Sequence, residues 1–94
     1  MRTVSFSKEA DKALRLLMKS APKEAKTIAR RIMELRSTGF TPQCKLLQNS
    51  VPPLYRSRCG SHRVVYALHP DKLEVLAIGH RREIYTVTGN KGMT

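Results

Sequence analysis

A stretch of seven residues, GHRREIY at positions 79–85, brings together an imidazole, two guanidiniums, a carboxylate and a phenol. An imidazole can transfer protons near neutral pH, and paired guanidinium N–H groups bind phosphate oxygens. A phenol can stack on a nucleobase or act through its hydroxyl. In the plainer alternative, the stretch is a charged strand end whose glutamate pairs with an arginine. The candidates for chemistry in this stretch are His80, Arg81, Arg82 and Tyr85.

Three further arginines fall on two predicted strands. Side chains two apart on a strand share a face, so Arg56 and Arg58 project together, and Arg63 projects with Val65. If these two faces coincide, three cations converge without a carboxylate in residues 54–69, and such a cluster outlines a phosphate site. The alternative is that the arginines are solvated positions on the open face of an antiparallel sheet.

The remaining histidines and the two cysteines are weaker candidates for a functional site. We expect His62 to be exposed beside the Gly-Ser turn and His69 to be a turn residue. The two cysteines lack the C-x-x-C spacing of a metal or redox motif. Positive charge beside Cys59 could lower the pKa of its thiol, but no base is evident. We assign no chemistry to Cys44 or Cys59.

The spacing of apolar residues predicts the elements that hold these side chains. A short strand over residues 4–6 is followed by Ser7, which can cap a helix that starts near Lys8. The break Ser-Ala-Pro ends that helix, and a second helix runs from Pro22 to about Arg36. Two helices with so short a connection form an antiparallel hairpin, whose apolar stripes need a sheet to cover.

The second half of the chain supplies that sheet. A polar loop is expected over residues 41–53, and strands are predicted at 54–59, 62–68, 73–78 and 84–87. The fold class is therefore α+β, with an N-terminal short strand and an antiparallel helical hairpin packed on a small antiparallel β-sheet. One domain is expected at 1–88, followed by a flexible C-terminal tail at 89–94.

The composition of the chain limits the classes of molecule that it is expected to bind. Eighteen basic and seven acidic residues give a net charge of +11, and both halves of the chain are basic. Such a field attracts nucleic acid or an anionic membrane, and an acidic partner would relieve its self-repulsion. No apolar run approaches the roughly 20 residues of a membrane span. The N-terminus does not look like a signal peptide, and the cysteine pattern suggests a reducing compartment, so a cytoplasmic location is expected.

Two motifs give the chain a family resemblance. LYRSRCGSHRVVY (residues 54–66) is similar to a basic strand, a turn and a "yRvvY" strand, and VLAIGHRREIY (residues 75–85) is similar to a closing "GhRreiY". In this order and spacing they resemble the RelE/ParE superfamily of bacterial and archaeal toxins. The resemblance covers nearly the whole chain.

The resemblance implies an endoribonuclease that cleaves mRNA in the ribosomal A site and is held inactive by an acidic cognate antitoxin in a hetero-oligomer. The RNA 2′-hydroxyl attacks the adjacent phosphorus and leaves a 2′,3′-cyclic phosphate, so no metal or other cofactor is required. The protein must orient the RNA, stabilise the phosphoryl charge and manage two protons.

The resemblance also implies roles for the matching residues. Arg63 and Arg81 are assigned to the scissile phosphate, and Tyr85 to orienting or deprotonating the nucleophile. RelE has lysines where this chain has the arginine pair, and arginines stay protonated, so the pair can bind but cannot act as a base. The base is then Tyr85, His80, His62 or the ribosome itself, and we assign proton transfer to His80. RNA phosphates that flank the cleaved bond are assigned to Arg56, Arg58 and Arg82.

Two other functions stay open at this point. A protein similar to ParE would share the fold and inhibit DNA gyrase without nuclease activity, since fold does not determine function. A basic module without catalysis would bind RNA in a salt-sensitive manner and break no strands.

Overall fold

The computed structural model describes residues 2–39 and 41–80. The predicted α+β class is confirmed: two helices pack on a five-stranded sheet. The elements follow in the order β1 (Thr3–Phe6), α1 (Lys8–Ser20), α2 (Pro22–Thr38), β2 (Cys44–Gln48), β3 (Leu54–Cys59), β4 (His62–Leu68) and β5 (Lys72–His80).

The two helices begin and end where local chemistry requires. Ser7 caps α1, because its hydroxyl accepts a hydrogen bond from the Ala10 N–H at 3.0 Å. Pro22 opens α2 at a position where a missing N–H is harmless. Gly39 ends α2 with φ of 90°, a backbone conformation that residues with a Cβ rarely adopt. The hairpin is thus confirmed, and α2 runs two residues past the predicted end at Arg36.

The sheet has the strand order β1-β5-β4-β3-β2. Neighbouring strands from β2 to β5 pair antiparallel, as predicted, and β1 joins the edge of the sheet by pairing in parallel with β5. The prediction of a loop over residues 41–53 was wrong in part, because Cys44–Gln48 forms the edge strand β2.

One face of the sheet carries the main core. The helices contribute Ala10, Ile28, Ile32 and Leu35, and the strands contribute Cys59, Val64, Tyr66, Leu73, Val75 and Ile78. The opposite face has a second, smaller apolar cluster of Val65 and Ala77, against which Leu76 packs. The helical hairpin therefore covers one face of the sheet, and the small side chains at the centre of the other face, Val65, Ala67 and Ala77, are also buried.

Several predictions fall on residues 81–94, outside the described part of the chain. They are the strand at 84–87, the domain end at 88 and the flexible tail at 89–94. Over residues 2–39 and 41–80, no helix is long and apolar enough to cross a membrane.

Candidate functional site

The predicted arginines lie together on the sheet face opposite the helices. Arg58 pairs directly with Arg63 across β3 and β4, and Arg56 pairs with Val65. Because directly opposed residues in an antiparallel pair share a face, these three cations occupy one surface. The side chain of Arg58 is exposed, and those of Arg56 and Arg63 are half-buried. The expected coincidence of the two strand faces is therefore found.

The edge strand adds a fourth cation to this surface. Lys45 on β2 is the direct partner of Arg56 on β3, and its side chain is exposed. We call Lys45, Arg56, Arg58 and Arg63 the cation row. Sequence reasoning missed Lys45 because it placed residues 41–53 in a loop. The lysine becomes part of the site only through its register with β3.

Few carboxylates oppose the cation row. Strands β2, β3 and β4 contain no acidic residue. Glu74 on β5 pairs with Ala67 four residues beyond Arg63, and its Oε1 lies 3.1 Å from Nε2 of His69. The row is therefore a strongly positive strip over small buried residues, Val65, Ala67 and Ala77. Such a strip suits a polyanion lying flat against the sheet.

A β-bulge determines where His80 lies. Val65 pairs with Ala77, but the next residue, Tyr66, pairs with Val75, so Leu76 has no partner in the ladder. One extra residue reverses the alternation of β5. In a regular strand that buries Leu73 and Val75 against the helices, His80 would share the face of the cation row. With the bulge, His80 shares the helix-facing side with Ile78.

Ser7 holds the bulge in place. Its hydroxyl donates to the carbonyl of Leu76 at 2.6 Å, and its N–H donates to the carbonyl of Val75 at 2.9 Å. The same hydroxyl caps α1. The start of α1 is thus hydrogen-bonded to the point at which the side chains of β5 change faces.

His80 has an aromatic neighbour on its own face. It is the cross-strand partner of His62, and the two rings meet edge to face with centroids 6.0 Å apart. Nδ1 of His62 is buried and has no hydrogen-bond partner in the described part of the chain. His62, which the sequence predicted to be exposed, is half-buried. The structure thus brings the two histidines together and separates them from the cation row.

Other cations serve the fold. Nη1 of Arg31 donates to Oγ of Ser57 at 2.8 Å and to the backbone carbonyl of Arg58 at 2.7 Å. Ser57 is fully buried, so this guanidinium satisfies a hydroxyl that would otherwise be costly to bury. Nε of Arg36 donates to the carbonyl of Arg2 at 2.7 Å. These bonds join α2 to β3 and to the chain before β1.

The two cysteines differ in acidity. Burial alone would raise the pKa of the Cys44 thiol, but hydrogen bonds with Tyr66 and Thr41 outweigh it, so this pKa lies below its ordinary value. Burial raises the pKa of Cys59, against a lowering by the nearby charge of Arg31. Positive charge thus does lower the pKa of Cys59, as expected, but the charge is that of Arg31, and desolvation outweighs it.

The remaining predicted site residues, Arg81, Arg82 and Tyr85, lie outside the described part of the chain. Within residues 2–39 and 41–80, no three His, Cys, Asp or Glu side chains are grouped so that they could hold a metal ion.

A helical hairpin packed on one face of a five-stranded sheet is the fold of the RelE/ParE superfamily, which the sequence motifs had suggested. The chain belongs to the ParE toxin family of type II toxin–antitoxin systems, whose family model matches residues 3–85. None of the curated proteins matches this sequence.

Solved structures share the fold at low sequence identity. The YoeB dimer from Staphylococcus aureus is 17% identical with a TM-score of 0.73, over 85% of this chain and 97% of that one. RelE in the RelE–RelB complex from Pyrococcus horikoshii is 23% identical with a TM-score of 0.69, over 85% and 94%. YafQ from E. coli is 14% identical with a TM-score of 0.66, over 90% and 99%. At these identities the likeness shows the fold alone.

Proposed function

We propose that this toxin is an endoribonuclease that cleaves mRNA on the ribosome. The observation that carries the proposal is the cross-strand pairing of Arg58 with Arg63 beside Arg56, on a sheet face with no acidic residue on β2, β3 or β4. Three guanidiniums at this spacing suit adjacent phosphates of a single strand. The resemblance to RelE adds the reaction type and the closing motif GHRREIY.

The proposed reaction uses the nucleophile of the RNA itself. The 2′-hydroxyl gives its proton to a base, the O2′–P bond forms, the P–O5′ bond breaks, and the 5′-oxygen takes up a proton. Arg63 and Arg81 stabilise the extra charge on the phosphoryl oxygens, which is the largest contribution that such a site can make. RNA phosphates on either side are bound by Arg56, Arg58 and Arg82.

The sequence left four candidates for the base: Tyr85, His80, His62 and the ribosome itself. The bulge at Leu76 directs His80 to the helix-facing side, away from the guanidiniums. A general base must lie within hydrogen-bond reach of the proton it removes. We therefore propose Tyr85 for proton abstraction.

The match to the ParE family model supports a second candidate function, inhibition of DNA gyrase without nuclease activity. The two functions differ in what they affect first, which is DNA supercoiling for a gyrase inhibitor and mRNA for a nuclease. A gyrase inhibitor would block supercoiling and leave mRNA intact, whereas the proposed nuclease would cut mRNA and leave supercoiling unchanged at first.

Primer extension on mRNA after toxin induction tests the proposal. We expect new 5′ ends in codon register that disappear when translation is blocked. The variants Arg81→Ala and Tyr85→Phe should remove these ends while the protein still binds its antitoxin. Intact mRNA with lost supercoiling would support the gyrase inhibitor, and RNA binding without new ends would support a non-catalytic module.

We also propose that an acidic antitoxin docks on the helical hairpin. An apolar groove there is lined by Leu14, Met18, Ala25 and Ala29 and bordered by lysines of α2. The exposed Met18 would pack against an apolar partner face, and the net charge of +11 favours acidic flanks.

The test of this docking site is Met18→Glu. This variant should weaken antitoxin binding, as measured by calorimetry, and leave mRNA cleavage unchanged, because the groove and the cation row lie on opposite sides of the sheet. Unchanged antitoxin affinity would place the interface elsewhere.

A further inference from the structure

The edge strand β2 carries a lysine that the sequence did not connect with the site. Lys45 is the direct cross-strand partner of Arg56, and both residues lie on the same sheet face as Arg58 and Arg63. Partner Cα atoms in an antiparallel pair are about 4.5–5.5 Å apart, and residues two apart on one strand are separated by about 6.8 Å. The four cations therefore form a row that crosses three strands and ends at the sheet edge.

The side chain of Lys45 is accessible to a ligand. Its side chain is exposed, and no carboxylate of the described residues forms an ion pair with it. Its immediate neighbours on β2 are Cys44, which turns to the core side, and the uncharged Leu46. A lysine at this place on an edge strand also keeps other strands from adding to the sheet. That role depends on charge alone and not on the register with Arg56.

We propose that Lys45 is a positioning residue that binds a backbone phosphate of the RNA, on the β2 side of the phosphates held by Arg56 and Arg58. This inference rests on the proposed function. It also gives the path of the RNA strand, which crosses the sheet between β4 and β2. Lys45 makes a contact that is equal in the ground state and the transition state. Its loss should therefore raise KM and leave kcat nearly unchanged.

Salt dependence of RNA binding tests the contact. The probe is a single-stranded RNA of mixed sequence with 2′-O-methyl riboses, which cannot be cleaved, and binding is followed by fluorescence anisotropy. Each phosphate contact on a single strand contributes about 0.7 to the slope of log K against log salt. Lys45→Gln should lower that slope by about 0.7. Between about 50 mM and about 200 mM salt, the wild type should then lose about 2.6-fold more affinity than the variant.

The matched control is Lys12→Gln, which removes the same charge from an exposed position on α1. Its salt slope should equal that of the wild type. Lys45→Arg should restore the slope, because an arginine also binds a phosphate. Lys12→Gln should melt at the wild-type temperature, since its side chain is exposed. Lys45→Gln should melt at the same or a higher temperature, because it removes a like charge opposite Arg56.

Cleavage of mRNA on programmed ribosomes, measured in parallel, separates the inference from the proposed function. If the wild type cleaves and Lys45→Gln has the slope and KM of Lys12→Gln, the inference is overturned and the nuclease stands. If the wild type does not cleave but the slope still depends on Lys45, the nuclease fails and the contact stands. A wild type that neither cleaves nor binds RNA overturns both.

Discussion

Arg58 and Arg63 face each other as direct cross-strand partners on the sheet face opposite the helices. Like charges at such positions destabilise a sheet, with pair effects of about 0.2–1 kcal/mol. A bound anion between them would offset the repulsion. We therefore expect polyvalent anions to stabilise the sheet.

The first prediction concerns this stabilisation. Sodium sulfate should raise the melting temperature of the wild type more than sodium chloride at equal ionic strength, because sulfate can accept hydrogen bonds from both guanidiniums. Arg58→Gln should reduce the difference between the two salts. Arg30→Gln on α2, where the side chain is exposed, should preserve it. An equal response of both variants in thermal melts would mean that sulfate acts by general exclusion from the protein surface.

The second prediction separates the arginine from the histidine. Arg63→Ala should lower the rate of mRNA cleavage by ~10²-fold or more, the loss that follows removal of one donor to a transition-state oxyanion. His80→Gln should lower it far less, since the bulge directs His80 to the other face. Single-turnover cleavage on programmed ribosomes measures both rates. A larger loss for His80→Gln would return proton transfer to the imidazole.

The third prediction concerns Ser7, whose hydroxyl both caps α1 and binds the carbonyl of Leu76. Losing a cap costs about 1 kcal/mol, and losing a further hydrogen bond costs a similar amount. Ser7→Ala should therefore lower the free energy of unfolding by about 2 kcal/mol in urea titrations. Ser20→Ala is the control, because that exposed hydroxyl only binds the carbonyl one turn back. If the two variants lose equal free energy of unfolding, the hydrogen bond from Ser7 to the bulge does not stabilise the protein.

The fourth prediction concerns the thiols. Burial raises the pKa of Cys44, but hydrogen bonds with Tyr66 and Thr41 lower it by more, whereas the pKa of Cys59 is raised by burial. Iodoacetamide should therefore label Cys44 at a lower pH than Cys59, as peptide mapping by mass spectrometry would detect. Tyr66→Phe should move the Cys44 profile to higher pH, because the hydrogen bond between the Tyr66 hydroxyl and the sulfur, which lowers this pKa, is lost. An unchanged profile would show that Tyr66 does not stabilise the thiolate.

The same shift affects stability. A thiol whose folded pKa is lowered contributes stability that is present above its unfolded pKa and is lost as the pH falls through the folded value. The lowered pKa of Cys44 thus stabilises the folded protein only in alkaline solution. Near neutral pH, Cys44 acts as a hydrogen-bonded thiol between Thr41 and the Tyr66 hydroxyl, whose oxygen lies 3.2 Å from the sulfur.

Much of the fold follows from local sequence patterns. The bounds predicted for the strands at 54–59 and 62–68 are those of β3 and β4, because regular alternation and a Gly-Ser turn define a hairpin without ambiguity. Alternation placed Arg56 with Arg58 but left open whether Arg63 shares their face, and the register of β3 with β4 decides that it does. The helical hairpin followed from apolar spacing and from Pro22.

Features that depend on pairing between distant segments could not be predicted from the sequence. The segment CKLLQ has no clear alternation and is largely exposed, so nothing local marks it as β2 or aligns Lys45 with Arg56. The bulge at Leu76 leaves no signature in LEVLAIG either. Counting by twos from Leu73 would place His80 with the cation row, and only the ladder with β4 shows the reversal.

The parallel pairing of β1 with β5 has a consequence for synthesis of the protein. Thr3 aligns with Lys72, and Ser7 bonds to carbonyls of Val75 and Leu76, so both the first strand and the first helix need the last described strand before they can dock. Contacts between such distant segments form late, because the intervening chain must first be closed into a loop. A nascent chain can form its helical hairpin early but has no complete sheet to place it on. The sheet and its two helices can therefore come together only after β5 has left the ribosome.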